Sequence, residues 1–156
     1  MSDLSWDNRG KIYYLLDTFR GLESDQVSEQ EKDDGIMQTN TNLIENGFYV
    51  TSSDKVRTNF SEWKNIKIIE GIIPETLKQI KADEIAFLHI DLNCSPPEVA
   101  TMEYLWDRLV TGALILLDDY AYKGYHHQKI AMDNFASKTG VSIASLPTGQ
   151  GLIIKN

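Results

Sequence analysis

FLHIDLN at Phe87–Asn93 and ALILLDDY at Ala113–Tyr120 are the stretches that decide the fold. Each is an apolar run that stops at an acid: Asp91 in the first, the pair Asp118-Asp119 in the second. Strands buried on both faces read as unbroken apolar runs, not as alternation. Between them, Pro97–Leu109 (PEVATMEYLWDRL) places Val99, Met102, Leu105, Trp106 and Leu109 on the apolar side of a helix. Strand, helix and strand in this order predict a mostly parallel α/β sheet. Ligands of such sheets bind beyond the carboxyl ends of the strands, where this sequence concentrates its acids.

Working outward, the first strand spans Ile85–Ile90, and further elements follow on both sides. Upstream, Lys11–Leu16 (KIYYLL) predicts a strand ending at Asp17, and Ile66–Ile69 predicts another closed by Glu70-Gly71. The polar stretch between Glu23 and Asn42 is expected to be a loop, either a mobile lid or a solvated surface segment. Val56, Phe60 and Trp63 have helical spacing over Ser53–Trp63 with Ser53 as N-cap, and Pro74–Ile80 predicts a short helix. Downstream, Gln128–Thr139 predicts a helix closed by Gly140. Val141–Leu146 and Leu152–Lys155 predict strands joined by a turn over Pro147–Gly151, an antiparallel hairpin ending the sheet. No repeat or linker divides the 156 residues, so one domain over 1–156 is expected.

With 42% hydrophobic residues the chain can build a core, which excludes wholesale disorder. A net charge of −8 disfavours nucleic acid or an anionic membrane as partner and is compatible with a cation site. A single cysteine, Cys94, excludes an internal disulfide and suits a reducing compartment. The first ten residues lack an apolar signal segment, and Ala113–Leu117 is too short to cross a bilayer. A soluble, cytoplasmic chain is expected.

If the strands ending at Ile90 and Leu117 are neighbours, Asp91, Asp118 and Asp119 converge, with Asn93 two residues beyond the first. Such an oxygen-rich set suits Mg²⁺, or less selectively Ca²⁺ or Mn²⁺. Spacing alone leaves a second reading open, in which these acids cap a helix and begin a turn. His89, inside an apolar strand, reads as a core histidine. His126 and His127 read as part of a polar aromatic loop, and Cys94 has no adjacent base to make it a nucleophile.

Six motifs in order resemble the class I S-adenosylmethionine-dependent methyltransferases of the macrocin O-methyltransferase type, which have a Rossmann-like fold. They are DTFRGL (Asp17–Leu22), SDKVRTNF (Ser53–Phe60), IIEGIIPETL (Ile68–Leu77), FLHIDLN (Phe87–Asn93), YLWDRLVTGALILLDDY (Tyr104–Tyr120) and LPTGQGLIIK (Leu146–Lys155). The resemblance implies a divalent cation, Mg²⁺ or another, on Asp91, Asp118 and Asp119. There it would orient substrate oxygens and acidify the hydroxyl to be methylated. It also implies S-adenosylmethionine as cofactor, with Asp17 near its ribose and Glu70 on its adenine side, and a small-molecule acceptor.

Two departures from the resemblance carry consequences. The catalytic position of sugar-modifying relatives, a proton-accepting Asp, is Asn93 here, and an amide cannot act as a general base. The first strand and glycine-rich loop of the fold should precede Lys11, where only ten residues stand with one glycine, Gly10. The chain therefore reads as an N-terminally truncated, carboxyl-terminal portion of the family fold. Loss of a central strand would expose sheet edges, which predicts a homo-oligomer. Three functions stay open: a metal-assisted O-methyltransferase, a non-catalytic remnant that keeps the fold, and half of a composite enzyme.

Overall fold

The computed structural model describes residues 10–156. In chain order its helices and strands are β1 (Tyr13–Asp17), α1 (Glu29–Asp33), α2 (Ile36–Glu45), α3 (Ser53–Asn59), β2 (Ile66–Glu70) and β3 (Ile85–Ile90). They continue with α4 (Ser95–Leu105), β4 (Leu109–Leu117), α5 (His126–Thr139), β5 (Ala144–Ser145) and β6 (Gly151–Ile154). The chain forms two compact units. One runs to Gly21 and resumes over Gln38–Lys81; the other comprises Leu22–Met37 and Ala82–Asn156.

In the first unit β1 and β2 pair in parallel, with Tyr13 opposite Ile66 and Asp17 opposite Glu70, so both strands finish on an acid. The Gly71 N–H donates to the Asp17 carbonyl at 2.9 Å, closing the pair at that end. Helix α3 is capped by Ser52, one residue earlier than expected, whose Oγ accepts from the Lys55 N–H. That frees Ser53 Oγ to donate to Glu70 Oε2 at 2.7 Å. The helix expected after Pro74 is a 3₁₀ segment, Glu75–Gln79. Its Leu77 is buried with Ile73, Ile80 and Phe19.

The second unit carries a four-stranded sheet in the order β3-β4-β6-β5. β3 and β4 are parallel neighbours, while β6 runs antiparallel to both β4 and β5, as the terminal hairpin predicts. The fold is thus α/β, with parallel strands and a C-terminal antiparallel hairpin. Side chains on one face of the sheet (Ile90, Ala113, Ile115, Leu117, Ile153) share a core with Met102 of α4 and with Met132 and Phe135 of α5. Two prolines occupy the first turn of α4, where their missing N–H is not needed. Helix α5 ends at Gly140 in the left-handed conformation (φ 73°), as read from the sequence.

Several elements differ from the sequence reading. The polar stretch expected as a loop over 23–42 contains the short 3₁₀ segment Ser24–Gln26, α1 and much of α2. Its helix start is written in Ser28-Glu29-Gln30-Glu31, a reciprocal capping box in which Ser28 Oγ accepts from the Glu31 N–H. The Glu31 carboxylate in turn accepts from the Ser28 N–H. Composition alone hides such a signal. Strand β4 begins at Leu109, four residues before the expected start, and the strand expected over 141–146 is only Ala144–Ser145.

Candidate functional site

Ile90 of β3 stands opposite Leu117 of β4, so the chain leaves both strands side by side, and the Asp118 N–H donates to the Ile90 carbonyl at 2.9 Å. This register brings Asp91, Asp118 and Asp119 to the same end of the sheet. Asp119 is the innermost: its Oδ2 is buried without a hydrogen-bond partner. Burial first, and then the charges of Asp91 and Asp118, push its carboxyl up to about 7. Asp118 Oδ1 accepts from Gln150 Nε2 at 2.7 Å and lies 3.4 Å from His89 Nε2. Asn93, in the left-handed region at φ 59°, donates from Nδ2 to Asp91 Oδ1 and accepts from the Tyr125 hydroxyl, each at 3.3 Å.

Sequence reasoning missed a fourth acid at this end. Glu98, in the first turn of α4, is only 3% exposed. Burial, followed by the charge of Asp119, holds its carboxyl well above the usual range, against a hydrogen bond from the Leu92 N–H that acts the other way. Glu31 is also buried and accepts from the Ser95 N–H at 2.6 Å. The signal for Glu98 was an acid set inside a helix whose neighbours, Pro97 and Val99, are apolar. Gln150 lay hidden in a turn read only for its glycines.

Two histidine readings are corrected. His89 is not a core residue: it lies on the open face of β3, with its imidazole near Asp118. His126 and His127 are not in a loop but open α5. Among the described residues, the set of three ligating side chains with donor atoms all within 4.8 Å of one another is Asp34, His126 and His127; the aspartate trio is set wider. Cys94 is buried, and burial, reinforced by Glu31 and Glu98, pushes its thiol up, which removes it as a nucleophile at neutral pH.

In the first unit, Asp17 Oδ1 accepts from the Phe19 N–H at 2.6 Å, and Thr18 Oγ1 donates to the Gly21 carbonyl at 2.8 Å. These bonds close the DTFRG turn and hold Phe19 at φ 54°. Glu70 is tied to Ser53 as described. Among the described residues, no strand runs into a glycine-rich turn that opens a helix.

This arrangement, acids beyond the carboxyl ends of parallel strands with an antiparallel hairpin at one edge, is an α/β fold shared with known methyltransferases. The O-methyltransferase NovP is 18% identical, with a TM-score of 0.80 over 96% of this chain and 62% of its own. The calicheamicin methyltransferase CalS11 is 16% identical, with a TM-score of 0.63 over 92% of this chain and 60% of its own. The methyltransferase PaMTH1 of Podospora anserina, solved with bound SAH, is 18% identical with a TM-score of 0.51, covering 67% of this chain and 55% of its own. This chain therefore spans about three fifths of the length of these proteins. Comparison with curated protein sequences gives no match. The profile of the macrocin O-methyltransferase (TylF) family matches residues 5–145, and the chain belongs to that family. Among the described residues, no helix is long and apolar enough to cross a membrane.

Proposed function

We propose that this chain supplies the cation- and acceptor-binding part of an S-adenosylmethionine-dependent O-methyltransferase that acts on a small-molecule hydroxyl. The observation that carries this reading is the orphaned, buried Asp119 Oδ2, whose carboxyl is pushed up by burial and by the charges of Asp91 and Asp118. Carboxylates held together in low dielectric repel, and a divalent cation relieves that repulsion. Asp91, Asp118 and Asp119 would hold Mg²⁺, whose chemistry is to orient a substrate hydroxyl and lower its pKa. The cofactor supplies a methyl group already activated on sulfonium, so the protein's contribution is positioning and desolvation.

The chain's own side chains divide that work. Gln150 donates to one Asp118 oxygen and Asn93 to one of Asp91, which orients both carboxylates. Asn93 cannot take a proton, so at this catalytic position it orients and does not act as a base. Asp17 and Glu70 are assigned to the cofactor's ribose and adenine sides. Both are engaged in local hydrogen bonds, Asp17 with Phe19 and Glu70 with Ser53, that set their carboxylates at the strand ends.

One observation favours a second reading, a binding module without catalysis or half of a composite site: the described residues carry no glycine-rich turn for the methionine end of the cofactor. Calorimetry with S-adenosylhomocysteine, with and without Mg²⁺, separates the two. A Kd tighter than about 100 µM, roughly −5.5 kcal/mol, is expected of a working cofactor site. Heat equal to dilution would assign the chain to the second reading.

Assembly is part of the proposal. Phe87, Leu114 and Ile154 are cross-strand neighbours in one row and are 51%, 43% and 60% exposed. Parallel strands are normally covered on both faces, and this row leaves one face of β3, β4 and β6 open. A homo-oligomer that buries the row fits this surface.

A further inference from the structure

We infer a second metal site, distinct from the strand-end acids, formed by Asp34, His126 and His127 and suited to a late first-row divalent cation, with Zn²⁺ foremost. The three come from two segments of the second unit: Asp34 caps the end of α1, and the two histidines open α5. Asp34 Oδ2 lies 3.0 Å from His127 Nε2 and 3.6 Å from His126 Nε2, and all three donor atoms fall within 4.8 Å of one another. A tetrahedral zinc with ligands at about 2.0–2.1 Å sets its donors roughly 3.3 Å apart, so the two measured separations bracket the requirement.

The donor chemistry decides the metal. Two imidazole nitrogens and one carboxylate oxygen suit Zn²⁺, Ni²⁺ or Cu²⁺, whereas Mg²⁺ and Ca²⁺ take all-oxygen sets such as the aspartate trio. Asp34 and His126 are exposed and His127 is half-buried, so the remaining coordination positions open to water and the ion has a path in. The imidazoles lie with ring centroids 4.0 Å apart, tilted by 39°, and reach the same carboxylate from adjacent positions of the chain. The bland account is a surface ion pair, which contributes about 0–1 kcal/mol and does not need two histidines on one oxygen. A bound zinc would pin α1 to α5 across 93 positions of sequence. This inference does not rest on methyl transfer.

The test is calorimetric titration of Zn²⁺ into the full chain in millimolar Mg²⁺, repeated on an Asp118→Asn variant to disable the acid cluster. One equivalent is expected to bind both proteins alike, and zinc is expected to raise the melting temperature of both. Losing even an outer-shell partner of a metal costs about 10–100-fold in affinity. His127→Ala and Asp34→Asn are therefore each expected to weaken zinc by at least that lower bound. Circular dichroism would show both variants folded, as the exposed Asp34 and the half-buried His127 allow. Equal affinity in the wild type and both variants, absence of saturable binding, or zinc lost with Asp118→Asn would each overturn the site.

Discussion

Asp119 follows β4 into a place where one carboxylate oxygen meets neither water nor a donor, and its carboxyl is pushed up to about 7. A folded-state value raised above the unfolded 3.8 means the folded protein holds the proton more tightly. Its stabilising contribution is therefore complete below about pH 4 and is lost as pH rises toward about 7. In chelator, the melting temperature of the wild type relative to Asp119→Asn should fall across that window; a difference independent of pH would refute the assignment. Glu98 acts with the same sign. Mg²⁺ at about a hundred times its Kd should stabilise the protein by about 2.7 kcal/mol. Asp118→Asn, by weakening the ion about tenfold, should remove about 1.4 kcal/mol of that. An unchanged Mg²⁺-induced melting shift in that variant would remove the cation from the acid cluster.

Two elements owe their placement to single side chains. A Cβ added to Gly151 at the start of β6 would stand 2.6–2.8 Å from the Tyr120 side chain, so β6 runs beside β4 only because this residue has none. Gly151→Ala is expected to cost about 1–3 kcal/mol in urea unfolding through overpacking against Tyr120. Helix α1 is held by Glu31, whose carboxylate accepts from the Ser28 N–H, the Ser28 hydroxyl and the Ser95 N–H. Glu31→Gln turns an amide donor toward one of these donors and should cost about 1.5–3 kcal/mol, the scale of a charge-assisted bond. An unfolding midpoint within error of wild type would show that α1 is placed by other contacts. The sequence reading had the capping box in plain view, but acid-rich composition outweighed it. Local hydrogen-bond geometry is written in four residues, while composition averages over twenty.

At the scale of the molecule, the buried face of the four-stranded sheet and its open face follow from one alternation. Ile115 and Ile153 point into the core, and their chain neighbours Leu114 and Ile154 point out of it. An apolar outer row on strands of this kind calls for a cover. Light scattering is expected to report at least two chains per particle, and Phe87→Lys is expected to reduce that to one. A wild-type mass of one chain would show that this face stays open in solution. The family match over residues 5–145, beside identities of 18% and 16% to solved relatives with TM-scores of 0.80 and 0.63, shows how far side chains can drift while the fold holds.

The sequence by itself determined where the parallel strands end, and with that the position of every strand-end acid, and the terminal hairpin. Apolar runs, turn residues and a helical spacing of core side chains are local patterns, and local patterns survive in one dimension. What only the tertiary structure decided was company. Glu98 joins the acids because α4 packs its first turn against the strand ends, and His89 lies on the open face, near Asp118, because the pleat of β3 turns it there. Asp34 meets His126 and His127 because a capping box and a helix start, far apart in sequence, are folded onto each other. Such meetings depend on which faces pack together, a property of the whole chain that no short stretch encodes.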